Sequence, residues 1–421
     1  MTPPGPSRDP SPPADAVRPQ PPAQPVGSRT TSTTTTRGMH MKRNRILAGA
    51  AAAAATALVL AGCSAGGSDS GDDGGDTADG ELTPVTLQLQ WLTQAQFGGY
   101  YLAEANGYWE ELGLDVEIIP GAVDIVPQDV LAAGDVDFAI AWVPKALASI
   151  EAGANITNIA QVFERSGTLQ VAWADSGIAG PEDLSDKQIG SWGFGNEWEL
   201  FAGLTEVDAS GYTIVQQNFD MNALLNREID AAQAMTYNEY AQLLEAVNPE
   251  TGELYQPEDF SVIDWNEVGT AMLQDAIWAN TERLESDPEY AETAVKLIQG
   301  AILGWIDQRD DPQAAADAVT AAGSTLGTSH QLWMANEINK LIWPSTNGIG
   351  HINEDQWDET VEMALMTKNQ DGAQVITTDP PDTAYTNEYV DEAIANLEAD
   401  GVDVLGESYA PIEVTLTEGG N

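Results

Sequence analysis

The chain of 421 residues predicts an α/β fold with two lobes, a hinge and a cleft. Three observations carry that expectation. From Pro84 onward, short apolar runs alternate with helical patterns, as in largely parallel sheets. The alternation runs through a second round that starts at PEDL (181–184). A long, mostly helical remainder then follows to about residue 400. A second lobe at 176–265 is therefore inserted into a first lobe made of 84–175 and 266–410. Two segments must then cross between lobes, as in domains that close on a hinge.

In chain order, VTLQLQW (85–91) reads as a strand, and a helix at 99–106 ends at Gly107. LDVEII (114–119), a helix at 125–134 and VDFAIAW (136–142) follow. Pro144 opens a helix over 144–153, because its fixed φ and missing N–H suit a helix start. ITNIAQVF (156–163) and TLQVAWA (168–174) read as strands. The second round gives strand KQIGSW (187–192), turn GFGN (193–196) and helix 197–207. Strand 212–217, helix 221–228, strand IDAAQAM (229–235) and helix 238–247 come next, then strands FSVIDW (260–265) and TAMLQDAIWAN (270–280).

The N-terminal region has a different character. Residues 1–38 are rich in Pro, Ser and Thr with no hydrophobic period, and are expected to be disordered or untranslated, with a start at Met39 or Met41. Residues 39–63 combine a basic start, an apolar run from Ile46 to Ala61 and small residues before Cys63, the pattern of a signal peptide. Leu60-Ala61-Gly62-Cys63 resembles the bacterial lipoprotein box, which implies that Cys63 carries a lipid holding the protein outside the cytoplasm. Residues 64–83 then form a flexible acidic tether.

Composition removes several functions. There are 16 Lys+Arg against 66 Asp+Glu, a formal charge of −50. Residues 1–63 hold seven of the basic and two of the acidic residues, leaving nine basic against 64 acidic for the rest. A nucleic-acid partner needs a basic face and is not expected. So acidic a surface also repels its own copies, which favours a monomer. One Cys excludes an intrachain disulfide and any metal centre built from several thiolates. No Walker loop, GxSxG, HExxH or GxGxxG occurs, and carboxylates are too numerous for pairing to be informative. His330 and His351 read as satisfied surface or core residues. No enzyme, cofactor or metal is expected.

The aromatic residues say more. All 12 Trp follow residue 84. Trp91, Trp142, Trp192 and Trp278 fall at or just after predicted strand ends, where open α/β sheets bind ligands. A Trp there stacks on a flat ring or attracts a cation, with core packing as the alternative for any one of them. Hydrogen-bonding groups accompany them: Gln94 and Gln96 in WLTQAQF, Gly193, Gly195, Asn196 and Glu197 in GFGNE, and Tyr237, Asn238 and Glu239 in MTYNE. Asn196 and Asn238 also suit helix N-capping.

Residues 84–400 resemble the substrate-binding proteins of bacterial ABC importers, in the branch related to fungal thiamine-pyrimidine synthase and to sulfonate and nitrate binders. The resemblance lies in QWLTQAQFGGYYLAEANGYWEELGLDV (90–116), DFAIAWVPKAL (137–147), IGSWGFGNEWEL (189–200), IDAAQAMTYNEYAQ (229–242), GTAMLQDAIWAN (269–280) and SHQLWMANEINKLIWPS (329–345). It implies a bilobal periplasmic-binding-protein fold (type II), with Tyr100 among its cleft positions. It also implies a small-molecule ligand delivered to a permease with its ATPase. The fungal enzyme's essential His, its cofactor-holding lysine and its Cys cluster would fall near Lys145, Ala141 and 269–273. None is retained, which argues against pyrimidine synthesis here. Sparse cations and Trp-rich strand ends suit an aminopyrimidine of the hydroxymethylpyrimidine type better than an anion. A ring would stack on Trp91 or Trp192 while Glu197 or Glu239 accepts from its amine. Riboflavin, sulfonate and nitrate are the alternatives, as is a sensor ectodomain of the same fold.

Overall fold

A computed structural model describes residues 82–421. Residues 1–81 lie outside it, and with them the expected signal peptide, the expected lipid site at Cys63 and nearly all of the expected tether. Ten strands form two five-stranded sheets. They are β1 (Thr83–Gln88), β2 (Leu114–Ile119), β3 (Phe138–Trp142), β4 (Ile156–Gln161), β5 (Thr168–Trp173), β6 (Gln188–Ser191), β7 (Thr213–Gln216), β8 (Ala231–Met235), β9 (Phe260–Asp264) and β10 (Asp275–Asn280). The first sheet has the order β2-β1-β3-β10-β4 and the second β7-β6-β8-β5-β9. This is the two-lobed periplasmic-binding-protein fold.

Each sheet holds one strand that runs against its neighbours. β10 pairs antiparallel with β3 and β4, and β5 pairs antiparallel with β8 and β9. The other pairs are parallel. Both reversed strands follow a crossing, so the chain enters each sheet from the opposite end. This changes one expectation. The strand at 168–174, assigned to the first lobe, is β5 and pairs within the second sheet. Periodicity identifies a strand but not its partner.

Helices and apolar side chains cover both faces of each sheet, as strands buried on two sides require. In the first sheet Leu87, Phe138, Ile140 and Ile277 point into one core, while Ala139, Ala141, Ala276 and Trp278 point into another. Leu169, Val171 and Ala234 oppose Ala172, Ile189 and Ile263 in the second. The largest helix contact joins Gly98–Ala105 to the long helix Pro288–Asp310. The latter starts where Asp287 accepts from the backbone N–H groups of Glu289 and Tyr290 and Pro288 takes the first helical position. A Cβ at Gly304 would lie 2.0 Å from the Gly99 carbonyl oxygen, so this crossing requires glycine.

Residues 162–167 and 265–274 cross between the sheets. TAMLQ (270–274), expected as part of the last strand, belongs to this crossing. Two of its backbone N–H groups bond to side chains: Met272 N–H donates to Glu199 (2.7 Å) and Leu273 N–H to Thr360 Oγ1 (3.0 Å). Amide side chains lace the two crossings together. Ser166 N–H donates to Asn266 Oδ1 (3.0 Å), Asn266 Nδ2 to the Ser166 carbonyl (2.8 Å) and Gly167 N–H to Gln274 Oε1 (2.9 Å). Burial pushes the Glu199 carboxyl up to about 7, although the Met272 N–H draws it back. Among the described residues no helix is long and apolar enough to cross a membrane.

Candidate functional site

A cavity of about 590 Å³ lies between the lobes. That is within the range of small-molecule sites. Gln90, Trp91, Gln94, Gln96, Trp142 and Lys145 line it from the first lobe. Trp192, Phe194, Asn196, Trp198, Phe219, Tyr237, Asn238 and Glu239 line it from the second.

The first-lobe wall is organised around Asp275. This residue pairs directly with Trp142 in the register of β10 and β3, and its side chain is buried. Trp142 Nε1 donates to Oδ1 at 2.6 Å, Gln96 Nε2 donates to Oδ2 at 2.9 Å, and Gln90 Nε2 also donates to Oδ1. Gln94 Nε2 donates to Gln96 Oε1 at 2.8 Å, so the chain of amides ends on one carboxylate. Burial raises the Asp275 carboxyl to about 7, while Gln96, Trp142 and Lys145 pull it down. Lys145 sits 5.0 Å from the Trp142 ring centre. Burial lowers its ammonium to about 8, and Asp275 and then Glu197 pull it back up.

The second-lobe wall hangs on Gln233, a buried residue of β8. Its Oε1 accepts from Ser191 Oγ (2.9 Å) and Trp192 N–H (3.2 Å), and its Nε2 donates to the Asn196 carbonyl (2.5 Å). Between these anchors Gly193, Phe194 and Gly195 all have positive φ, at 65°, 54° and 82°. For Phe194 that conformation is strained. The loop leaves its ring 78% exposed at the cavity rim. Phe219 reaches across to Trp91, with ring centres 4.9 Å apart, and lies 6.3 Å from Trp192. Glu239 is buried and accepts from Met235 N–H (3.0 Å) and Asn238 Nδ2 (2.9 Å). Burial lifts its carboxyl to about 7 despite those bonds. Burial, then Asp275 and Glu239, keep the Tyr237 hydroxyl protonated.

The sequence-predicted residues divide accordingly. Trp91, Gln94, Gln96, Trp142, Trp192, Gly195, Asn196, Tyr237, Asn238 and Glu239 come together at the cavity. Gly193 stands behind, shaping the loop, and Glu197 accepts from Gly195 N–H at 2.9 Å within it. Two expectations fail. Tyr100 is buried edge-on against Trp305. Trp278 is buried in a core and donates to the Ala141 carbonyl at 3.0 Å. The reversed direction of β10 explains the second: its N-terminal residue, Asp275, lies at the cleft edge, and its later residues run away from it. His330 is a buried residue with both ring nitrogens satisfied, in line with its sequence reading. Its Nδ1 pairs with Glu245 at 2.8 Å and its Nε2 with Asn238 Oδ1 at 3.0 Å, behind the second wall.

Sequence reasoning did not single out Asp275, Gln90, Phe194, Phe219, Trp198 or Gln233. The available signal was a lone Asp at the start of an apolar strand, QDAIWA. The same view tests the cofactor chemistry of the fungal relatives. Ala141 is buried and has no amine, and residues 269–273 supply no thiol. Among the described residues no group of three or more His, Cys, Asp or Glu could hold a metal ion. The residues present do not fit that chemistry.

Known proteins share this architecture. The fold is similar to that of a putative sulfonate ABC transporter's periplasmic sulfonate-binding protein SsuA from Methylobacillus flagellatus. The TM-score is 0.56 at 16% identity, covering 80% of this chain and 99% of that one. The periplasmic nitrate-binding protein NrtA from Synechocystis gives a TM-score of 0.53 at 14% identity, covering 81% and 95%. The chain belongs to the family described as NMT1/THI5 like, whose model matches residues 94–315. It is 24% identical over 192 residues to a putative thiamine biosynthesis protein of Haemophilus influenzae, covering 44% of this chain and 60% of that protein. It is 22% identical over 340 residues to a 4-amino-5-hydroxymethyl-2-methylpyrimidine phosphate synthase of Aspergillus parasiticus, covering 78% and 93%. The match to a Legionella pneumophila protein of the same name spans 46% of that protein.

Proposed function

We propose that this chain is the extracytoplasmic solute-binding component of an ABC importer, held at the membrane by a lipid on Cys63. It captures an aminopyrimidine of the hydroxymethylpyrimidine type and presents it to the permease without chemical change. The observation that carries this reading is the interlobe cavity. Aromatic side chains enter it from both lobes, and buried carboxylates lie on or behind its walls. A flat ring gains from stacking on Trp91 or Trp192, and its amine finds acceptors. The family, whose relatives carry thiamine-related names, supports the same reading. The size of the cavity favours riboflavin as the second reading, since 590 Å³ exceeds what one pyrimidine ring fills.

The test is thermal unfolding of the purified full chain with hydroxymethylpyrimidine, thiamine, riboflavin, taurine or nitrate. A ligand at about 100 times its Kd adds about 2.7 kcal/mol of stability. A shift with the pyrimidine alone is expected. A shift with riboflavin alone replaces the ligand and keeps the transport role. No shift with any of the five favours a sensor or other ectodomain.

A further inference from the structure

We infer that Asp275 sets the hydrogen-bonding polarity of the first-lobe wall, so that the cleft selects a ligand that donates from nitrogen and rejects acceptor-only oxyanions. This deepens the reading above and rests on the cleft being the ligand site.

A side-chain amide can be turned either way, and its surroundings decide which end faces a neighbour. Here a carboxylate decides. Gln90 and Gln96 both direct Nε2 to Asp275, and Gln94 directs Nε2 to Gln96 Oε1. Trp142 can only donate, and its N–H is already spent on the same carboxylate. Three amides and an indole are therefore ordered from one hub. Gln90 and Gln94 line the cavity, and their Oε1 atoms accept no hydrogen bond among the described residues. The wall thus offers these two carbonyl oxygens as acceptors beside the second N–H of each amide, and a ligand atom set against the oxygens must donate to them.

Charge points the same way. Asp129, Lys145 and Glu239 are the charged residues lining the cavity, and Asp275 lies directly behind the wall. The single ammonium is held over Trp142, where it is drawn by Asp275 and Glu197. An oxyanion would compete with these carboxylates for one cation while facing carbonyl oxygens. An amine-bearing ring meets acceptors and aromatic faces instead.

The experiment is calorimetric titration of the full chain and of Asp275→Asn with four probes: 4-amino-5-hydroxymethyl-2-methylpyrimidine, its 4-oxo counterpart, taurine and nitrate. The amine and its oxo analogue differ at the atom that donates or accepts. The wild type is expected to prefer the amine by about 100-fold, since a mismatched buried hydrogen bond costs 1–3 kcal/mol. A carboxamide at 275 can donate as well as accept, so Gln90 and Gln96 can reverse. The preference should then fall below about tenfold. Equal weakening of both pyrimidines, with the ratio kept, would mean that Asp275 merely supports the fold and would overturn the inference. So would wild-type binding of taurine or nitrate in preference to the amine.

A second readout needs no ligand. Side-chain amide NMR of the wild type should show through-hydrogen-bond coupling from Gln90 and Gln96 Nε2 to the Asp275 carboxyl carbon. Absence of both couplings overturns the orientation. Couplings present in a chain that binds none of the four probes in the titration would support the orientation and defeat the pyrimidine reading, so the two failures are distinguishable.

Discussion

Gln94, Gln96 and Trp142 on the first-lobe wall are buried, and each is tied into the hydrogen-bond chain that ends on Asp275. Across the cavity, Phe194 and Phe219 stand 78% and 42% exposed, and the loop carrying Phe194 has three successive residues at positive φ. One wall is preorganised, with its Nε2 and indole donors held on Asp275 and Gln96 before a ligand arrives. The other offers apolar area that closure can bury. Recognition by direction belongs to the first wall and gain from area to the second. Preorganisation cuts the cost of ordering groups on binding, while exposed aromatic area supplies the driving force.

This contrast can be broken most severely at its hub. Asp275→Ala leaves the donors of Gln90, Gln96 and Trp142 without their acceptor, at 1–3 kcal/mol for each buried group. Urea unfolding should show a loss of about 3 kcal/mol or more. The cavity aromatics come next. Trp91→Ala and Trp192→Ala should each weaken pyrimidine binding by about tenfold or more, from lost stacking and area. If both left affinity unchanged in calorimetry, stacking would play no part.

Glu199 sharpens the comparison from the hinge. Its folded carboxyl titrates near 7 because of burial, against about 4.3 for an ordinary Glu. The folded state therefore holds a proton that the unfolded state has released between those values. The stability this group contributes is complete below about pH 4.3 and is lost as pH rises towards 7, by up to about 1.4 kcal/mol per unit. Unfolding measured at pH 5, 6, 7 and 8 should show Glu199→Gln removing that share of the slope. Asp275, raised to about 7 for the same first reason, contributes in the same direction from the first wall. The smallest effect belongs to the loop. Phe194→Gly relieves a left-handed conformation and should raise stability by about 1 kcal/mol, while weakening ligand binding through the apolar area it removes.

Much of the cleft was legible because its residue types stand out. Trp, Gln and Asn next to predicted strand ends are chemically distinctive, and 10 of the 14 predicted ligand residues line the cavity. Strand direction was not legible. Apolar runs look the same in either orientation, so reading the last strand as parallel placed Trp278 at the cleft and hid Asp275 at its other end. The same limit put β5 in the first lobe. Asp275 was hidden a second way, as one carboxylate among 66 acidic residues. Gln170 and Gln233 face each other in the middle of the second sheet, fully buried. Their polarity gave no sign that Gln170 binds the Gly190 carbonyl of β6 and Gln233 the Asn196 carbonyl of the loop instead of solvent.

The place of β10 has a kinetic consequence. The second sheet draws on the continuous stretch 168–264, so all its strands have been synthesised before β10 exists. The first sheet cannot close until residue 280, because β10 lies between β3 and β4 and joins two sets of strands that are both made before the inserted half. Such long-range pairing is slow to form. A growing chain can therefore finish its inserted half while the half that begins it still lacks β10. The carboxylate that organises the binding wall arrives on that last strand, so ligand recognition is among the final properties the molecule acquires.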